Sequence, residues 1–307
     1  MNEPNEILIS IVTPSYNCDP FIKETIESVL SQGVASFEHI IMDGGSKDKT
    51  VDILKSYPHL KWKSEKDKGQ SDALNKGFKL VKGEIVGWLN ADDTYEPGTF
   101  KKVLDFFNGN PAIDCIGTDI NIIDEKSKKI GFSASKPFNL SEMLIVNTVK
   151  QPTVFMRRKM IERLVGVDES LHYVMDHEFW VRANIEGFKI KYIPNEVFAN
   201  FRMITGTKSF ENAPIFYLEW ANTVKSFFQN PQFDQFPNKS SILSEIEGQY
   251  YTSLTIQAIN EKDRKSALNN LWKALKVNPS LWFNRGVYKF ILLIIAGKDR
   301  SLVAKYN

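Results

Sequence analysis

Hydrophobic and polar positions alternate in blocks through the first two hundred residues, and each block has the period of a strand or of a helix. Ile7 to Thr13 is rich in β-branched residues and stops at Pro14. After Asp19-Pro20 the apolar positions Phe21, Ile22, Ile26, Val29 and Leu30 keep helical spacing. Phe37 to Met42 repeats the strand and ends at Asp43; the turn Gly44-Gly45-Ser46 and a helix carrying Val51, Ile53 and Leu54 follow. A strand around Leu60 to Trp62, a helix from Asp72 to Leu80 and a strand from Ile85 to Asn90 continue the alternation. Such repetition predicts an α/β fold built on a mostly parallel sheet with helices flanking both faces.

Past Asn110-Pro111 the pattern loosens. Ile113 to Ile123 and Ile130 to Phe132 read as strands, Leu140 to Val146 as a helix, and Val197 to Arg202 as a further strand. Beyond Phe201 strand signals stop, and Ile215 to Phe228, Ile242 to Ile259, Ala267 to Val277 and Trp282 to Ala296 all carry helical spacing. The organisation expected is an α/β domain over residues 1–205 and a helical region over 206–307.

Composition adds limits. With 42% apolar residues the chain can build a core. No apolar run reaches the roughly 18 residues that span a bilayer, and the start lacks the features of a signal peptide, so a cytoplasmic location is expected. Cys18 and Cys115 have no metal-ligand spacing and read as reduced thiols. The net charge of +2 hides an asymmetry: ten Lys or Arg against three acids from Glu261 onward, a net of +7, leaves −5 for the rest. A basic tail points to an anionic partner or to a plainly solvated helix surface; of the partners, anionic lipid is expected and nucleic acid is not.

The candidate chemistry sits where strands end. G-E-I-V-G-W-L-N-A-D-D delivers Asp92 and Asp93 to the end of a buried strand, and ligands of open α/β sheets lie beyond the carboxyl ends of strands. Adjacent carboxylates suit Mg²⁺ or Mn²⁺, which take oxygen ligands from one or two acids and from bound phosphates. They equally suit turn acids capping the helix that starts near Pro97. Polar loops also follow the first three strands: Thr13 to Asn17, Asp43 to Ser46 and Asp67 to Asp72, with Asp72 reading as a helix cap. Neither G-x-G-x-x-G after the first strand nor G-x-x-x-x-G-K-[ST] anywhere is present, so the common dinucleotide and P-loop sites lose their support.

Five blocks in order, T-P-S-Y-N, D-G-G-S-K-D-K-T, S-E-K-D-K-G-Q-S-D-A-L-N-K-G, N-A-D-D and Y-V-M-D-H-E-F-W, resemble the family 2 inverting glycosyltransferases of bacterial polysaccharide biosynthesis over about residues 7 to 205. The resemblance implies a GT-A sheet that binds a nucleoside-diphosphate sugar. Pro14 and Tyr16 would wall the base, Asp43 would accept its imide N–H, and Asp67 would help close the pocket. Asp92 would bind ribose or join the metal shell, and Asp93 would ligate a Mn²⁺ or Mg²⁺ ion across the diphosphate. Asp176 would take the proton of the acceptor hydroxyl, with Glu178 on the acceptor side; the residues alone read as an N-cap Asp with an acid in the first turn.

The implied reaction is a metal-assisted single displacement from a donor such as a UDP-sugar to a saccharide or lipid-linked saccharide, with inversion at the anomeric carbon. Two positions depart from the family: Ile204 stands where relatives carry a metal-binding His, and Leu74 where they carry an Arg. Loss of that His supports an alternative, a non-catalytic nucleotide-sugar-binding or assembly protein of the same fold. In the tail, Leu281, Trp282, Tyr288 and Phe290 to Ile295, flanked by Arg285, Lys289, Lys298 and Arg300, make a pattern suited to a helix lying peripherally on an anionic membrane, or to one packed against the rest of the protein.

Overall fold

A computed structural model describes residues 8–204 and 212–296. Ile7, the segment before it, the 205/206 boundary itself, Lys298 and Arg300 lie outside the described residues. The chain separates into two compact units, Met1–Thr205 and Gly206–Asn307.

The first unit is a nine-stranded sheet. Strand β1 (Ile9–Ser15) is buried along its whole length because it has parallel neighbours on both sides, β2 (Phe37–Asp43) and β4 (Ile85–Trp88). Strand β3 (Lys61–Ser64) extends the parallel half beyond β2. Its helices follow from the spacing of apolar residues. In α1 (Ile22–Leu30) the buried positions Ile22, Thr25, Ile26 and Val29 form one stripe. Helix α2 (Thr50–Lys55) and α1 pack on the side of β2 that carries Ile41. Helix α3 (Gln70–Phe78) covers the Ile40 and Met42 side, since successive strand residues face opposite ways. Gly77 allows that approach: a Cβ there would stand 2.4 Å from Val12 Cγ1. Asp72 is a first-turn residue rather than the cap; Gly69 holds the cap position and Asp72 accepts the Lys68 N–H.

The other half is mixed. Strand β8 (Phe155–Arg157) runs antiparallel to β4 and to β6 (Cys115–Ile123), and β6 runs parallel to β9 (Ile190–Arg202). Two antiparallel steps restore the original direction, so β6 and β9 end at the same edge as β1 to β4. Strands β5 (Thr94–Tyr95) and β7 (Lys129–Ser133) add antiparallel pairings to β9 and β6. The sequence pattern does not show β5, β8 or the helix α6 (Arg158–Leu164) that follows β8, because two- and three-residue strands have no period to read. Helix α4 (Thr99–Gly109) packs Phe100, Val103 and Phe107 into the main core with Ile9, Ile11, Ile116, Phe155 and Phe198. Helix α5 is a single turn, Leu140–Met143, and α7 spans Met175–Ile185.

In the second unit the described residues form α8 (Ala213–Gln229), α9 (Lys239–Asn260), α10 (Arg264–Val277) and α11 (Arg285–Ala296). Ala258, Ile259, Ala267, Leu271, Leu275, Val287 and Ile294 meet in one core, so α11 is a packed helix on its inner side. Among the described residues no helix is long and apolar enough to cross a membrane. Both cysteines are free.

Candidate active site

Four loops meet beyond the carboxyl ends of β1 to β4, and side chains tie them together. Asn17, with φ of 50°, donates its N–H to Ser46 Oγ and accepts from Lys47 N–H, which fastens the first loop to the second. Pro14 is buried in β1, while Tyr16 is 59% exposed and free to cover a ligand rather than packed at the sheet edge. Ser15, which pairs with Asp43 across the strands, has a buried hydroxyl with no partner among the described residues. No sequence signal marked it.

Asp43 differs from expectation. Its carboxylate is buried and already accepts from Gly45 N–H, Ser46 N–H and the hydroxyls of Ser46 and Ser64. Four donors fill most of what a carboxylate can accept, so Asp43 first of all closes the turn after β2. Asp67 lies against that turn: a Cβ on Gly44 would come within 2.6 Å of Asp67 Oδ2, and Asp67 Oδ1 accepts the Gly69 N–H. The glycine is what lets the third loop reach the second.

Asn90 organises the end of β4. It accepts from Trp88 Nε1–H and Gln70 Nε2–H, and donates to Gln151 Oε1 and Asp93 Oδ2. Asp93 is fully buried, and its Oδ1 accepts the Arg202 N–H at 2.9 Å. Burial, with the neighbouring Asp92 carboxylate adding to it, pushes the Asp93 carboxyl well above the ordinary Asp value. Two internal bonds use about half of what the Asp93 carboxylate can accept, and its burial leaves the half-buried Asp92 as the more accessible of the two acids. Asp92 is half-buried, and among the described residues no side chain donates to its carboxylate; burial raises its pKa against its own backbone N–H and the opposing pull of Arg202. Neither acid caps the next helix, because β5 intervenes before α4.

Arg202, at the end of β9, fixes this corner. Its fully buried guanidinium donates to the backbone oxygens of Asp92 (2.8 Å) and Asp124 (3.0 Å), to Ser127 Oγ and to Glu24 Oε2 (2.6 Å), and it lies 4.9 Å from the Phe21 ring. The sequence marks Arg202 only as the end of a strand, and no local pattern shows that β9 ends beside β4. Ile204 is half-buried and brings no ligand atom, and Leu74 is fully buried in α3. Among the described residues no three His, Cys, Asp or Glu side chains converge on a point that could hold a metal ion. The donor chemistry nevertheless fits Mg²⁺ or Mn²⁺, since such ions bind through one or two carboxylates and draw their remaining oxygens from phosphate and water.

Asp176 is the second residue of α7, not its cap; Val174 holds that position. It is half-buried, burial raises its pKa, and Asn147 Nδ2 donates to its Oδ2 at 3.1 Å. Four residues after Asn147, Gln151 accepts from Asn90 and donates to the Trp88 carbonyl, while Ser71 donates to the Leu171 carbonyl ahead of α7. These contacts join the start of α7 to the strand edge that carries Asp92. His177 faces inward, 2.5 Å from the Met143 carbonyl oxygen, and burial drives its pKa down to about 3. Glu178, expected on the acceptor side, is 6% exposed, and both its oxygens take bonds from Arg182, at 2.6 and 2.9 Å. Arg182 in turn holds the carbonyls of Leu164 and Gly166, so this pair locks α7 to the end of α6.

A parallel half-sheet with polar loops at its carboxyl edge, an aspartate pair at the end of a central strand and a mixed second half is the GT-A architecture of glycosyltransferases. Residues 10–165 match the model of glycosyl transferase family 2, and the chain belongs to that family. It is 28% identical to Escherichia coli chondroitin synthase over 184 residues, 59% of this chain and 27% of that protein. It is 25% identical to an uncharacterized glycosyltransferase of Methanocaldococcus jannaschii, over 95% of this chain and 91% of that protein. Among solved structures, Staphylococcus aureus TarS 1–349 in complex with UDP-GlcNAc superposes with a TM-score of 0.64 at 18% identity, over 88% of this chain and 81% of that one. The mannosyltransferase PcManGT of Pyrobaculum calidifontis, in complex with GDP-Man and Mn²⁺, gives 0.59 at 15% identity, over 94% and 85%. The protein is therefore a glycosyltransferase.

Proposed function

We propose that the protein is an inverting transferase that moves a hexosyl group from a nucleoside-diphosphate sugar, a UDP-sugar foremost, to a hydroxyl of a saccharide or lipid-linked saccharide. Asp176 carries this reading. Its carboxylate sits in the first turn of α7, raised in basicity by burial and oriented by the Asn147 amide and the His177 backbone N–H. As the acceptor oxygen bonds to the anomeric carbon, its proton passes to Asp176 and the bond to the diphosphate breaks. Attack opposite the leaving group inverts the anomeric centre, as in inverting glycosidases. Mg²⁺ or Mn²⁺, bound through Asp92, would supply positive charge to the departing diphosphate; Asp93, Asn90 and Arg202 hold the Asp92 backbone in place.

Tyr16 and Pro14 would flank the base and Asp67 the ribose. Uridine is favoured because an imide N–H can replace the rotatable Ser46 hydroxyl at Asp43 Oδ1, and because TarS, of the same fold, is a UDP-GlcNAc complex. The Mn²⁺ in PcManGT supports cation use. The proposed setting is the cytoplasmic face of a membrane, where saccharide acceptors are built for polysaccharide.

A panel of UDP-, GDP- and dTDP-sugars, scored for binding and slow hydrolysis with and without Mn²⁺, tests the reading. One UDP-sugar should bind in a cation-dependent way and be hydrolysed. Binding confined to guanosine donors would overturn the uridine assignment. Tight binding with no turnover on any acceptor would favour a nucleotide-sugar sensor.

A further inference from the structure

Helices α10 and α11 share an inner side, and each also carries exposed apolar residues on its outer side. Inward, Ala267, Leu271, Ala274, Leu275, Val287 and Ile294 are buried. Outward, α10 exposes Leu268 (53%) and Trp272 (61%), four residues apart. On α11 the exposed apolar residues Tyr288 (54%), Leu292 (66%) and Ile295 (69%) follow at spacings of four and three, and Phe283, just before it, is 90% exposed. Spacings of three and four place side chains on one face of a helix. Each helix therefore has two apolar faces, one used by the core and one facing water.

Along the two helices themselves the charges have one sign, with the acids Glu261 and Asp263 standing just before α10. From Arg264 to Ala296 the chain carries Arg264, Lys265, Lys273, Lys276, Arg285 and Lys289 and no Asp or Glu. All six are exposed. A solvated helix surface mixes both signs, and a surface for another protein concentrates apolar area while thinning out Lys. Exposed Trp, Phe, Tyr and Leu interleaved with Lys and Arg alone is instead the composition of a helix that lies in a lipid interface, its rings among the headgroups and its cations against their phosphates.

We propose that the outer faces of α10 and α11 form a docking surface for an anionic lipid bilayer, with Trp272, Phe283 and Leu292 entering the interface and Lys265, Lys276 and Lys289 meeting the headgroups. The surface is complete within the second unit and does not depend on the transferase reading. It also changes the test that the tail sequence suggests: deleting residues after Asn278 would remove Val287 and Ile294 from the core, so loss of binding by a truncated chain would prove nothing.

The experiment is flotation of the full chain with phosphatidylcholine vesicles, with and without added phosphatidylglycerol. Two triple variants accompany it, Trp272→Ser with Phe283→Ser and Leu292→Ser, and Lys265→Gln with Lys276→Gln and Lys289→Gln. Since all six positions are exposed, both variants should unfold at the wild-type temperature and keep the wild-type circular dichroism. Wild type should float with the mixed vesicles and not with pure phosphatidylcholine, and each variant should lose about tenfold or more in partitioning. Failure of wild type to float at low salt, or flotation of folded variants at the wild-type level, overturns the proposal. So does a concentration-dependent dimer that the apolar variant abolishes while neither form floats, because the occupant is then a second copy. If a variant is unfolded, single substitutions of Phe283 and Lys289, next to and on the last described helix, decide the same question.

Discussion

Asp176→Asn separates chemistry from structure at this site. The amide keeps the size of the carboxyl and an oxygen to accept the Asn147 N–H, now at 3.1 Å, so the start of α7 should hold its place. What disappears is the ability to take a proton. General bases contribute about 10²- to 10⁴-fold, and at 1.36 kcal/mol per factor of ten the barrier should rise by about 3–5 kcal/mol. Stability should move the other way. Burial raises the Asp176 pKa above its ordinary 3.8, so the folded state binds the proton more tightly than the unfolded one. The sign follows from linkage: this group favours folding at pH below 3.8, and that contribution is lost as pH rises through the folded pKa. At neutral pH the folded chain thus carries a buried charge at a cost, and the Asn variant does not. The assay pairs initial rates against pH, donor binding by calorimetry and thermal unfolding at pH 7. The expected outcome is wild-type donor affinity, a rate lower by two to four orders of magnitude and a melting temperature at or above that of wild type. In wild type, kcat/KM should rise with pH through a midpoint above 3.8 as the base loses its proton. A variant that turns over within tenfold of wild type, or that loses donor affinity in step with rate, refutes the assignment of Asp176 as base.

The two adjacent acids should part company: Asp92→Ala should abolish chelator-sensitive turnover in a folded protein. Asp93→Ala should instead lower stability by about 1–3 kcal/mol in urea unfolding, by leaving the Arg202 N–H and Asn90 amide without their acceptor. Gly44→Ala places a methyl 2.6 Å from Asp67 Oδ2, so calorimetry should show weaker donor binding with little change in melting temperature. Glu178→Gln should lower the unfolding midpoint, because it removes the charge opposite Arg182, and should leave the acceptor KM unchanged; a raised acceptor KM in a fully stable variant would return Glu178 to the acceptor side.

What the sequence determined by itself is local. Periods of two and of 3.6, punctuated by Pro14, Gly44-Gly45 and Gly69, define β1 to β4 and the helices between them, and parallel pairing then sends every loop that follows those strands to one edge. That is why Tyr16, Asp43, Asp67 and Asp92 are legible as a group in the sequence. Tertiary structure decided how each acid is used, because use depends on which donors arrive from elsewhere in the chain. Arg202 reaches Asp92 and Asp93 across 110 and 109 residues, since β8 reverses the sheet twice and brings the end of β9 to the same edge. That arrival buries Asp93 and leaves Asp92 as the more accessible acid. Glu178 and Asp176 stand two residues apart in one helical turn; Glu178 pairs with Arg182 one turn further along α7, whereas only tertiary structure brings Asn147 to Asp176. A strand of three residues such as β8 has too few positions to show a period, so the element that brings β9 to this edge was the one the sequence could not display.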